Sequence, residues 1–220
     1  MLYAVILGLV TAATAPLLIR LLGRYAGVVM VLVPLLLFLL YCSYMPLVLQ
    51  GHSVVQQYKW VPELGVNLRF RIDGLSMLFA LLITGFGALV MFYANGYMKG
   101  EFLLGRFYLY LTLFMTAMLG LVTSDNVFSL FVFWELTSIS SYLLIGFKHT
   151  EGVSRVSAWQ ALLVTGMGGL ALLAGMLLLG SATDTYTLSG LLNKQSVLAQ
   201  HRFYLPAVLL ILLGCFTKSA

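Results

Sequence analysis

Long apolar runs broken by short polar stretches dominate the chain. Seven can be followed: residues 2–19, 26–49, 74–97, 107–122, 126–147, 157–180, and a last run that starts near Phe203 and is still apolar at Gly214. Most approach the roughly 20 residues a helix needs to cross a hydrocarbon core. Between Gly51 and Asp73 the pattern changes. After Trp60-Val-Pro62 the run Val66-Asn-Leu-Arg-Phe-Arg-Ile72 alternates, which predicts a short strand or hairpin lying on the outer surface. Asp73, opening Asp-Gly-Leu-Ser, predicts an N-cap for the third run. Residues 181–202 are polar enough to read as a surface loop. The predicted fold is all-α: a polytopic transmembrane helical bundle of about seven spans.

Composition strengthens this picture. Of 220 residues, 61% are hydrophobic and only 9% charged, with mean hydropathy +1.02. Soluble domains carry roughly 25% charged residues. A chain this poor in charge cannot cover a water-facing surface, so lipid must cover most of it. The net charge of +5 is scattered between apolar runs, unlike the dense basic stripe of a nucleic-acid binder. Arg20, Arg24, Lys99, Arg106, Lys148 and Arg155 fall on one side of the predicted topology, and Lys59, Arg69, Arg71, Lys194 and Arg202 on the other. The first set occupies the shorter loops, which predicts a cytoplasmic location for it and an outside N-terminus. No basic residue precedes the first run, so a signal peptide is disfavoured and an uncleaved first span expected.

Several residues carry no chemistry of their own. Cys42 and Cys215 both lie in apolar runs, where a cysteine is a small hydrophobe. His52, His149 and His201 fall in loops without metal-site spacing. Trp60, Trp134 and Trp159 fit interface anchoring or helix packing. Gly166-Met-Gly-Gly-Leu-Ala171 formally matches a dinucleotide fingerprint, but it lies inside an apolar run with no preceding strand. Small residues there, with Thr165/Gly169 and Ala171/Gly175 at i, i+4, instead permit close helix packing. No phosphate loop, nucleophile triad, haem or iron–sulfur spacing is present in the sequence, so neither a cofactor nor enzyme chemistry is expected.

The informative residues are the polar ones at membrane depth. Glu135 stands nine residues into the fifth run and Lys218 about fifteen into the seventh. A charge at the centre of a span costs about 2.5–3.5 kcal/mol on insertion scales, so such groups face a partner or water. Ser138 and Tyr142, at i+3 and i+7 from Glu135, share its helix face and form a possible polar path. Thr137, Ser140 and Ser141 point to other faces, toward their own backbone or neighbouring helices. A carboxylate and an ammonium hold each other charged when they meet and lose that support when they part. A Glu135–Lys218 pair of variable separation is therefore a proton switch, and one of fixed separation only a packing device. Asp125, just before the fifth run, reads as a helix cap or as a proton access point.

At Phe133-Trp-Glu-Leu-Thr-Ser-Ile-Ser-Ser-Tyr-Leu-Leu-Ile-Gly-Phe147 the chain resembles the fifth span of the A-subunit of Mrp-type multisubunit sodium/proton antiporters. These proteins are relatives of the largest antiporter-like membrane component of respiratory complex I. Phe70-Arg-Ile-Asp-Gly-Leu-Ser-Met-Leu-Phe79 is similar to the family's lead-in to its third span, and Gly214-Cys-Phe-Thr-Lys-Ser-Ala220 to its Lys-Ser-Ala motif. The resemblance implies that Glu135 is the family's intramembrane glutamate and Lys218 its partner lysine, with Na+ and H+ as substrates. It also implies partner subunits in a hetero-oligomeric antiporter of the bacterial plasma membrane. Where complex I relatives tend to carry an Arg and an Asp in the sixth span, this chain has Gly166 and Gly169, which argues for the Mrp branch. Family members are inverted-repeat transporters of about fourteen helices. Against that pattern this chain reads as a fragment: residues 1–105, with three spans and the hairpin at 51–73, then the start of the proton-translocating module at 106–220. The alternatives are a proton-pumping subunit of NADH:quinone oxidoreductase, or a non-transporting membrane scaffold.

Overall fold

The computed structural model describes residues 1–61, 66–98 and 103–219, apart from the side chains of Arg24 and Val66. Pro62, Lys99 and Ala220, each used in a reading above, lie outside the described residues. The order is α1 (Leu2–Leu22), a single 3-10 turn (Gly23–Tyr25), α2 (Ala26–Leu49), β1 (Val54–Val61), β2 (Val66–Ile72), α3 (Gly74–Tyr97), α4 (Leu104–Thr123), α5 (Val127–Ile145), α6 (Gly152–Thr183), α7 (Leu188–Asn193), α8 (Gln195–Ala199) and α9 (Tyr204–Lys218). The predicted hairpin is present as the two-stranded sheet β1–β2. Helices α1 to α6 are long and apolar enough to cross a membrane. The seventh predicted span, α9, has 15 residues.

Polarity is distributed inside out. Leu21, Leu89, Phe92, Tyr97, Val153 and Met167 are exposed, whereas Thr84, Thr112, Thr116, Thr123, Ser129, Thr137 and Ser140 are buried. In water this arrangement would be unstable; in lipid, small hydroxyl residues let helices approach and apolar side chains face the acyl chains. Several of these hydroxyls are satisfied within their own helix, as Thr84 donates to Ala80 O at 2.7 Å and Thr116 to Thr112 O at 2.8 Å. The chain is a multi-pass helical membrane protein.

Contacts divide it into two compact units, residues 1–56 with 71–123 and residues 57–70 with 124–220. This is a grouping by packing, distinct from a division at 105/106. In the first unit α1 packs on α4 and α2 on α3. Glycines set these approaches: a Cβ at Gly105 would stand 2.9 Å from Pro16 Cα, and one at Gly27 would overlap the Asn95 side chain.

Asp73 caps α3 as its sequence predicts. Its Oδ1 accepts from Ser76 N at 3.0 Å, and Ser76 Oγ accepts from Asp73 N at 2.8 Å, a reciprocal capping box. Burial pulls the Asp73 carboxyl up, but the Ser76 N–H and hydroxyl, the nearby Arg71 guanidinium and the Leu75 N–H outweigh it and leave the group below its ordinary value. A folded-state value lower than the unfolded one stabilises above the ordinary aspartate range, and that contribution is lost as pH falls through the lowered value. Asp73→Ala is therefore expected to cost about 1 kcal/mol near neutral pH, and less in acid. Thermal unfolding in detergent at both pH values checks this; an equal loss at both would remove the carboxylate from the explanation.

In the second unit α6 packs extensively on both α5 and α9. Residues 181–202, read above as a polar surface loop, do lie mostly at the surface, but they finish α6 and then form the short helices α7 and α8. Thr187 Oγ1 accepts from Gly190 N at 3.2 Å and starts α7. Leu191 and Leu198 are buried with Val127, against Leu173, Met176 and Leu179. The polar residues masked an apolar spacing of seven, enough to bring one face of two short helices onto α6.

Candidate functional site

The site is built on α5, α6 and α9. Glu135 is the ninth residue of the 19-residue α5, close to its middle. Lys218 is the last residue of α9. Its Nζ reaches α5 and donates to Trp134 O at 3.2 Å, to Ser138 Oγ at 2.8 Å and to Thr137 Oγ1. It also lies 5.0 Å above the Trp134 ring, in cation–π range. An ammonium has three donors, and all three are used on neutral acceptors.

Glu135 and Lys218 thus occupy adjacent positions of one site but form no ion pair within 4.0 Å. The carboxyl group turns toward α6. Its Oε1 is enclosed by protein and accepts no hydrogen bond from it, and the enclosed Trp134 Nε1–H donates none. An ideal Cβ at Gly169 would overlap Oε1 and stand 3.2 Å from both Glu135 Cδ and Trp134 Cδ1.

The sequence-predicted residues divide. Ser138 belongs to the site. Tyr142, the other residue of the Glu135 stripe, has its ring edge-on to Trp159 at 5.9 Å. Thr137, placed above on another face, is also a ligand of Lys218, because the amine arriving from α9 meets α5 between Thr137 and Ser138. Ser140 bonds its own helix, to Leu136 O at 2.7 Å. Nothing in the sequence of α5 distinguished Thr137 from Ser140; the direction of Lys218 does.

Asp125 is a cap, but not of α5. That role falls to Asn126, whose Oδ1 accepts from Phe128 N at 2.9 Å. Asp125 is 3% exposed. Its two oxygens accept from Ser189 N and Ser189 Oγ, each at 2.8 Å, in the first turn of α7. Oδ2 also forms a 2.8 Å ion pair with Arg69 Nε of β2. Backbone pairing runs through the same point: Asp125 N donates to Arg69 O at 2.8 Å and Leu188 N to Asp125 O at 3.2 Å. Bridges Phe70–Ser124 and Asn126–Thr187 complete a polar seam of three chain segments at the start of α5.

Two family models match the chain. One, described as the N-terminus of chain 5 of NADH-ubiquinone oxidoreductase (complex I), covers residues 60–108. The other, described as the transmembrane region of NADH:quinone oxidoreductase and Mrp antiporter proteins, covers residues 124–220. The Na(+)/H(+) antiporter A1 subunit of Staphylococcus haemolyticus is 43% identical over 99% of this chain and 27% of its own length. That of Staphylococcus aureus is 41% identical over the same shares. The chain therefore spans about a quarter of the length of these curated relatives. Among solved structures, the Mrp complex from Dietzia sp. DQ12-45-1b superposes with a TM-score of 0.85 at 35% identity, over 99% of this chain and 23% of that one. An archaeal respiratory membrane complex, the membrane-bound sulfane sulfur reductase, shares the fold at TM-score 0.73 and 23% identity, over 96% of this chain and 43% of that one. Matched models, relatives and fold agree: along almost its whole length this chain is similar to the A-subunit of Mrp-type Na+/H+ antiporters, among the antiporter-like membrane proteins common to Mrp antiporters and NADH:quinone oxidoreductases.

Proposed function

We propose that this chain acts as part of a multisubunit Na+/H+ antiporter of the bacterial plasma membrane, assembled with other membrane subunits, and that Glu135 and Lys218 pass the proton. It is a transporter segment and not an enzyme. The observation that carries this reading is the placement of Lys218. Its ammonium rests on Thr137, Ser138 and the Trp134 carbonyl, beside a glutamate whose Oε1 has no hydrogen bond. Lys218 therefore has a seat that does not depend on Glu135, and the carboxylate is a second one within reach of a flexible side chain. When the amine moves to the carboxylate both groups are held charged; when it returns to the hydroxyls, protonation of the acid is favoured. Alternation between these seats moves a proton without any redox group.

Inverted vesicles containing the full-length protein and its partner subunits test the activity. Adding Na+ to vesicles with an acid interior is expected to release protons, reported by a pH-sensitive dye, and vesicles lacking the protein should not respond. Proton movement driven only by a respiratory electron donor would shift the reading to a subunit of NADH:quinone oxidoreductase. A response to neither in assembled complexes would leave a scaffold.

A further inference from the structure

Two adjacent glycines of α6 face the two halves of the site. At Gly169 a Cβ would overlap Glu135 Oε1 of α5. At Gly168 a Cβ would overlap Thr217 Oγ1 and stand 2.7 Å from Thr217 Cβ, on the residue that precedes Lys218 in α9. Gly166, one turn away, has nothing within 4 Å of its Cβ position. The close approach of α9 is reinforced at Gly214, where a Cβ would stand 2.6 Å from Gly168 O.

We propose that Gly168 and Gly169 are positioning residues for proton transfer: their missing side chains form a two-sided notch in α6 that fixes where the Glu135 carboxyl and the Lys218 backbone stand relative to each other. Ordinary helix packing needs small residues only where backbones meet. At Gly169 the space is taken by a side-chain carboxyl oxygen, enclosed and without a hydrogen bond, so the notch is shaped to a functional group and not only to a helix. A side chain at 169 would drive the carboxyl out of α6 and toward the Lys218 seat; one at 168 would lift α9 and draw the amine away. Both alter the separation on which the exchange of seats depends. The proposal rests on the proton role assigned to Glu135 and Lys218 above.

The test uses the full-length protein in its assembled complex. Gly169→Ala is expected to lower Na+-driven proton release about tenfold, whereas Gly166→Ala leaves it unchanged. Glu135→Asp withdraws the carboxyl by about 1.5 Å. In that background the Gly169→Ala penalty should nearly vanish, a coupling of about tenfold, within the range for contacting residues. Infrared difference spectra give a readout independent of transport: the Glu135 carboxyl band, identified by its loss in Glu135→Gln, should move in Gly169→Ala and not in Gly166→Ala. Equal behaviour of the two alanine variants in rate and band would overturn the positioning role. If Glu135→Gln transports normally, the proton role falls instead, while the band shift still decides the notch. Should Gly169→Ala fail to assemble, recovery of assembly by Glu135→Asp supports the proposal, and failure of both variants overturns it.

Discussion

Glu135→Gln in the assembled complex is expected to reduce Na+-driven proton movement by at least about a hundredfold, the scale on which a positioned proton-transfer group contributes. The amide matches the carboxyl in volume, so it occupies the same space beside Gly169. It cannot take up or release a proton at any working pH. Lys218 binds Trp134 O, Thr137 and Ser138 and not Glu135, so its hydrogen bonds survive the exchange. Assembly is therefore expected to be normal, which separates this variant from a folding defect. The measurement is the initial rate of dye-reported proton release after a Na+ pulse, normalised to assembled complex on a native gel. A variant that assembles and transports at the unsubstituted rate would remove Glu135 from the pathway.

Asp125→Ala is expected to act on stability. Removing one partner of a buried ion pair costs about 3–5 kcal/mol, and Arg69 keeps some water access at 29% exposure, so the lower end, about 3 kcal/mol, applies. The same substitution orphans Ser189 N and Oγ at the start of α7. Thermal unfolding in detergent should show a fall in midpoint, with protease cleavage appearing first within residues 184–203. Arg69→Ala combined with Asp125→Ala should lose little more than Asp125→Ala alone, because the two remove one shared interaction. Additive losses would mean that Arg69 and Asp125 act separately.

The helices were legible because lipid leaves a strong mark on sequence. The ranges 26–49 and 74–97 coincide with α2 and α3, since in both cases a polar turn abuts an uninterrupted apolar run. The Asp73 cap was legible because its partner, Ser76, is three residues away. Asp125 was misassigned for the opposite reason: its partners, Arg69 and Ser189, lie more than fifty residues away on either side. Glu135 and Lys218 stood out as charges inside apolar runs, but their arrangement depends on a third helix. The carboxyl faces the notch at Gly169, and the amine chooses Thr137 and Ser138, outcomes set by the packing of α6 against α5 and α9. Residues 181–202 misled for a compositional reason, since Thr, Ser, Lys and Gln outnumber the few leucines that seat α7 and α8.

The seam at Asp125 has a consequence for the order of biosynthesis. It joins Arg69, Asp125 and Ser189, so a ribosome must release roughly 120 residues after the first of these before the last can dock. Helix α5 begins at Val127, directly after the seam, and is made long before Asp125 acquires Ser189. During that interval the aspartate must stay hydrated or rely on Arg69 alone, which holds the head of α5 at the membrane surface. Docking of α7 on Asp125 therefore has to follow the synthesis of α6, whose far end returns to the start of α5, and can precede that of α9, which carries Lys218.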